Sequence, residues 1–147
     1  MGITLKPITR ANWQEAIKLK VAENQRGFVA SNLYSIAEAQ FYDDVFPCAI
    51  YADSQMVGFV MYGQDDEKPG DWWVIRLMVD EKYQAQGYGR AALAQALTQI
   101  KAKPNVSEIR ISFEPSNQVA AKLYAAVGFE DTGETIEGET VYRLGAA

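Results

Sequence analysis

The chain has 147 residues, with 48% hydrophobic and 22% charged residues and a formal net charge of −5. This is one domain's worth of sequence with enough apolar content to bury a core without metal or disulfide, so a single domain over residues 1–147 is expected. No histidine and one cysteine, Cys48, are present, which removes internal disulfides, the usual zinc sites and histidine-based catalysis and leaves no metal expected. The acidic balance disfavours nucleic acid and anionic membrane surfaces as partners and favours small cationic molecules.

No apolar run is long enough to span a bilayer and no signal-like pattern opens the chain, so a cytoplasmic protein is expected. Ile3 to Pro7 alternates as a first strand. Asn12-x-x-Glu15 reads as a capping box for a first helix running to about Glu23, and Ser35-x-x-Glu38 as the start of a second that stops before Pro47. Asn24 to Leu33 then forms the loop between them. Cys48 to Ala52 and Met56 to Tyr62, joined through Asp53-Ser54-Gln55, predict an antiparallel hairpin. The apolar setting of Cys48 marks it as a core thiol rather than a nucleophile. After a charged loop from Gln64 to Gly70, Asp71 to Val79 is too continuously apolar for a one-sided strand and belongs centrally in the sheet as a fourth strand.

From Asp80 the character changes. Gln84-x-x-Gly87-x-Gly89 leads into a helix pattern with Leu93, Ala96, Leu97 and Ile100 at helical spacing. A strand, a glycine turn and a helix in that order leave unpaired backbone N–H groups and the positive end of the helix dipole facing one point, which suits a phosphate. A Walker loop would need Gly-Lys-Ser/Thr, but Gly89 is followed by Arg90 and Ala91. Gly87-x-Gly89-x-x-Ala92 fits a dinucleotide fingerprint loosely, yet Glu81 to Gln86 separate it from its strand and too little chain follows for that fold. Ile109, Ile111 and Phe113 alternate as a fifth strand. Pro115-Ser116-Asn117 opens a helix expected to bury Val119, Leu123 and Val127 and to close at Gly128, and Phe129 to Ile136 and Thr140 to Leu144 form a last hairpin about Glu137-Gly138.

Gln84 to Gly89 resembles the pyrophosphate loop of the GNAT N-acetyltransferase family, where Gln or Arg, two residues, Gly, one residue, and Gly or Ala follow the fourth strand. A second block, Asn117 through Tyr124 to Gly128-Phe129, lies downstream in the family's order. The strings KVAENQ, YADSQMVGFVMYG, RLMVDEKYQAQGYGRAAL and KLYAAVGF look most like bacterial spermine/spermidine N-acetyltransferases. The resemblance implies an α/β (α+β) GNAT-type fold: a mixed, mostly antiparallel central sheet of six to seven strands, about four helices on both faces, and strands four and five parallel and splayed. Acetyl-CoA would be the co-substrate, its pantetheine arm on the backbone of Leu77, Met78 and Val79. Its pyrophosphate would rest on Gln84, Ala85, Gln86, Gly87, Tyr88, Gly89 and Arg90, with Asn117 bonding the cofactor.

By the same resemblance Tyr124 is the general acid that protonates the leaving thiolate. No single base stands out; Glu23, after the first helix, and Glu114, after the fifth strand, are the carboxylates placed to serve the acceptor. The implied reaction is acetyl transfer to a primary amine by direct attack in a ternary complex, with a polyamine as acceptor. Ile75 stands where such enzymes often carry a carboxylate. A protein or peptide amino group as acceptor, a non-catalytic acetyl-CoA-binding module, and a homodimer all stay open.

Overall fold

The computed structural model describes residues 2–145. In chain order these form β1 (Ile3–Pro7), α1 (Trp13–Lys18), α2 (Asn32–Ala39), β2 (Val45–Ala52), β3 (Gln55–Gln64), β4 (Asp71–Val79), α3 (Tyr88–Lys101), β5 (Glu108–Phe113), α4 (Gln118–Val127), β6 (Glu130–Ile136) and β7 (Glu139–Gly145). Single helical turns at Glu23–Gln25 and Glu81–Tyr83 interrupt the longer connections. All seven strands lie in one sheet of order β1-β2-β3-β4-β5-β7-β6. Every neighbouring pair is antiparallel except β4 and β5, which the α3 crossover makes parallel. The expected mixed sheet with parallel fourth and fifth strands is therefore the observed one.

Apolar side chains bury on both faces of the sheet, and the strand sequences show it. β3, QMVGFVMYGQ, is interior along almost its whole length, as its unbroken apolar run requires. Val57, Val60 and Tyr62 point to one side, where Leu93, Ala96, Leu97 and Ile100 of α3 and Ala120 and Tyr124 of α4 complete the larger core. Phe59 and Met61 point to the other, with Met78 of β4, under Ile36 and Ala39 of α2. α3 keeps its apolar residues at helical spacing and lies on the sheet as anticipated.

The first two helices differ from expectation in extent. α1 ends at Lys18, because Leu19 turns extended (ψ 138°) to pack beneath the sheet face. Its Asn12 does not cap: the side chain accepts from the Thr9 N–H at 2.7 Å and donates to the Pro7 carbonyl at 3.0 Å, bonding the approach to the helix instead. α2 begins three residues before the expected Ser35. Ser31 is the cap, accepting from the Tyr34 N–H at 3.1 Å, while Ser35 is wholly buried and donates back to the Ser31 carbonyl. The buried Asn32 amide donates to the Ala16 carbonyl at 2.9 Å and ties the two short helices together.

α4 also shows a different buried face. Ala120 and Tyr124 are its buried residues, Leu123 and Val127 are half-buried, and Val119, expected inside, is 72% exposed. An apolar residue left uncovered at the first turn of a helix has a reason in this fold, because Val119 borders the cavity described below.

The centre of the sheet allows little adjustment. A Cβ on Gly58 would lie 2.4 Å from the Met78 carbonyl oxygen across the β3–β4 ladder, where Gly58 pairs with Val79. The obstacle is backbone, so it cannot swing aside. Gly58→Ala should cost about 1–3 kcal/mol of stability, the range for overpacking a dense interior. Denaturant unfolding checks this, and an unchanged midpoint would contradict it.

Candidate functional site

β4 and β5 run as parallel partners only from Asp71↔Glu108 to Val74↔Ile111. Beyond that point each strand keeps its outer neighbour: β4 stays paired with β3 to Val79, and β5 with β7 to Phe113↔Thr140. Between them the sheet opens. The cause is local to β4, whose register against β3 shifts between Met61↔Arg76 and Tyr62↔Val74, leaving Ile75 as the extra residue of a β-bulge. The bulge breaks the alternation of side chains. Ile75 packs with the α2-side core, and Arg76, next in sequence, also reaches α2, where its guanidinium meets Glu38 at 3.4 Å.

The opening leads into a cavity of about 590 Å³. Leu77, Met78 and Val79 of β4 form one wall; Ile111, Ser112 and Phe113 of β5 form the other; Asn117, Val119, Ala120, Leu123 and Tyr124 of α4 close one side. Phe28, Val29 and Ala30, from the segment before α2, border it opposite. The backbone edge of β4 facing the gap has no strand beside it, a row of polar groups that a bound chain of amides could satisfy.

At the far end of β4 the chain turns through Asp80 to Gly87. Asp80 is buried, and its carboxylate accepts from the Lys20 N–H at 2.9 Å and the Lys82 N–H at 3.1 Å, fixing both the strand's exit and the segment after α1. Ala85 (φ +64°) and Gly87 (φ +84°) take left-handed conformations on either side of Gln86. For alanine that costs about 1 kcal/mol, a strain usually held where backbone N–H groups must point one way. Among the described residues the N–H groups from Gln84 to Arg90 have no protein acceptor. With the α3 N-terminus behind them, unpaired N–H groups of this kind are what an anion site requires. A Cβ at Gly87 would meet nothing within 4 Å, so the space before the loop is open.

Most of the expected cofactor residues lie along this one path, but not all in the same way. Leu77, Met78, Val79, Gln84, Ala85, Gly87, Tyr88, Gly89, Arg90 and Asn117 line the cavity, whereas Gln86 does not. The Gln84 side chain engages both of its donors within the protein, its amide nitrogen donating at 2.9 Å both to the Val79 carbonyl and to Gln25 Oε1. Asn117 caps α4 by accepting from the Ala120 N–H at 3.1 Å, which leaves its amide nitrogen unengaged among the described residues.

Tyr124 is only 7% exposed, its ring edge-on to Phe113 and tilted against Phe129, yet it borders the cavity. Burial, and then the charge of Glu139, push its phenol up to about 12, so it is protonated throughout the physiological range. Glu23 lies exposed on the single turn Glu23–Gln25 and Glu114 just past β5, and neither lines the cavity. The carboxylate that does is Glu139, the first residue of β7, which accepts a hydrogen bond from the Ser112 hydroxyl at 2.8 Å. Sequence reasoning passed over Glu139 because the order β5-β7-β6 brings it there. The available signal was its shared face with Val141, two residues along a strand that had to find a partner. Among the described residues no group of three or more potential ligands could hold a metal ion, and no helix is long and apolar enough to cross a membrane.

The sequence profile of the Acetyltransferase (GNAT) family matches residues 12–129, a span holding the parted strands, the glycine turn after β4 and Tyr124. The chain belongs to that family of acetyltransferases. It is 30% identical over 147 residues to the spermine/spermidine N(1)-acetyltransferase of Bacillus subtilis strain 168, covering 96% of this chain and 97% of that one. Among solved structures, the aminoglycoside acetyltransferase AAC(6')-Ib in complex with coenzyme A superposes with a TM-score of 0.81 at 17% identity, covering 98% of this chain and 95% of the other. The Vibrio cholerae spermidine N-acetyltransferase in complex with coenzyme A and spermine does so with a TM-score of 0.75 at 17% identity, covering 96% and 92%. At those identities the structural likeness concerns the fold.

Proposed function

We propose that residues 1–147 act as a single N-acetyltransferase domain that moves the acetyl group of acetyl-CoA to a primary amine, with a linear polyamine as the acceptor class, in a cytoplasmic setting. The observation that carries the cofactor is the continuous track from the β4–β5 gap to the N–H groups of Gln84 to Arg90. The pantetheine amides would bond to the free edge of Leu77 to Val79, and the pyrophosphate would sit on those N–H groups, with Arg90 adding a charge-assisted contact. The thioester then falls where the strands part, beside Tyr124. Asn117, whose amide nitrogen is unengaged among the described residues, is a side-chain donor in the α4 wall.

In the reaction the amine lone pair forms a bond to the thioester carbonyl carbon, and the C–S bond breaks as the intermediate collapses. The departing thiolate takes its proton from Tyr124, and the resulting phenolate is restored by the proton that the acylated nitrogen sheds. A phenol near 12 is a weak acid toward a thiolate of pKa about 8.5, so the two transfers must be coupled rather than sequential. Tyr124→Phe should lower kcat roughly a hundredfold or more with coenzyme A affinity little changed. Full activity in that variant would return the ring to a purely packing role.

The polyamine reading draws support from the Bacillus subtilis relative and from the net charge of −5. Arg76 borders the cavity, but its charge is compensated by Glu38. If several protein charges attract the acceptor, the specificity constant for spermidine should exceed that for a monoamine of similar length. It should also fall more steeply as salt shortens the Debye length from about 10 Å toward 3 Å. A thiol-release assay with both amines at low and high salt measures this. Equal constants with equal salt dependence would remove the polyamine and leave a broader amine N-acetyltransferase.

A further inference from the structure

The acceptor has a second requirement that the cofactor track does not meet. A primary amine is an ammonium near neutral pH, with a pKa near 10, and it must shed a proton before its lone pair can attack. Among the described residues, the carboxylate lining the cavity is Glu139. We propose that Glu139 receives the acceptor ammonium and takes its proton, with Ser112 as the residue that positions the carboxylate. The proposal rests on the acetyl-transfer reading and deepens it.

The topology explains how this residue arrives. β7 pairs with β5 from Gly145↔Glu108 to Thr140↔Phe113, so the first residue of β7 stands just past the end of β5, at the mouth of the gap. Ser112 pairs with Val141, and by the period of two Ser112, Val141 and Glu139 share a face. The Ser112 hydroxyl donates to Glu139 Oε1, which leaves Oε2 for a ligand. Tyr124 and Phe113 lie on the opposite face with α4, so the carboxylate and the phenol flank the parted strands from two sides. The two groups sense each other, since the charge of Glu139 adds to burial in raising the Tyr124 phenol.

The arginines on the strands around Glu139 are engaged, whereas Arg90 of the same cavity and Glu114, just past β5, make no ion pair among the described residues. Two residues back along β5, Arg110 is bonded to Glu108 and also meets Glu134 of β6 at 3.3 Å, and Arg143 of β7 approaches Glu108 at 3.9 Å. Across the gap Arg76 meets Glu38 of α2. Glu139 makes no ion pair among the described residues, so its charge is available to an incoming cation. In the full step the ammonium gives its first proton to Glu139, which passes it to water. Attack follows, and the second nitrogen proton restores Tyr124 after Tyr124 has protonated the thiolate. One proton is released per turnover.

Glu139→Gln keeps the acceptor for the Ser112 hydroxyl and removes the base. At pH 7.5 its kcat/KM for the fastest amine of a panel including spermidine should fall about a hundredfold. The deficit should shrink as pH rises toward the amine's own pKa, where the free base is already present, and Glu139→Asp should recover part of the loss. A deficit equal at every pH, or no deficit, overturns the proposal. Amine binding to the coenzyme A complex, measured by calorimetry, reads the same residue without turnover: Glu139→Gln should weaken spermidine at least tenfold, and equal affinity counts against the ammonium site. Absence of acetyl transfer in the unsubstituted enzyme would defeat the acetyl-transfer reading, while the calorimetric comparison would still decide whether Glu139 holds an ammonium.

Discussion

The parting of two parallel strands after one hydrogen-bonded stretch is the constraint on which the rest of the molecule depends. Up to Val74↔Ile111 the backbones of β4 and β5 satisfy each other, and past it they do not. An unpaired strand edge inside a protein is costly unless something pairs with it. The extra residue at Ile75 starts the divergence, and the flanking pairs β3–β4 and β5–β7 hold the strands apart because each is fully laddered on its outer side. The centre of the sheet is rigid so that its gap can persist. The requirement for glycine at position 58, where no Cβ fits beside the Met78 carbonyl, belongs to the same rigidity.

Three separate elements meet beside the gap. β4 runs into the loop whose N–H groups have no protein acceptor among the described residues, α4 delivers Tyr124 from one face, and β7 delivers Glu139 from the other. The segment after α1 is fastened to the β4 exit at two points. Asp80 holds the backbone at Lys20, and Gln84 holds Gln25, which itself accepts from the Ala22 N–H at 3.2 Å. The segment between α1 and α2 is thereby indexed to the exit of β4.

The strands, the glycine turn after β4 and α3 were readable because their signals are local. A continuous apolar run, two glycines and a helical repeat lie within about thirty residues, and each is decided by its neighbours in sequence. The bounds of α1 and α2 were not, since Asn12, Ser31 and Ser35 all have capping chemistry and tertiary burial chose among them. Val119 was misjudged for a related reason: periodicity marks an apolar residue as interior, whereas this one faces a cavity. Glu139 was passed over because its position depends on β7 inserting between β5 and β6, a long-range pairing that its shared face with Val141 does not by itself specify. Glu23 and Glu114 were proposed from chain position alone, and position along the chain did not translate into position around the cavity.

In the proposed cofactor track, backbone N–H groups rather than a set of charged side chains hold the pyrophosphate. Amide hydrogen exchange over Gln84 to Arg90, with and without saturating coenzyme A, tests it most directly. These amides have no protein acceptor among the described residues, so they should exchange quickly in the free protein and at least tenfold more slowly when the cofactor is bound. Binding seen by calorimetry with no slowing across that stretch would contradict the account.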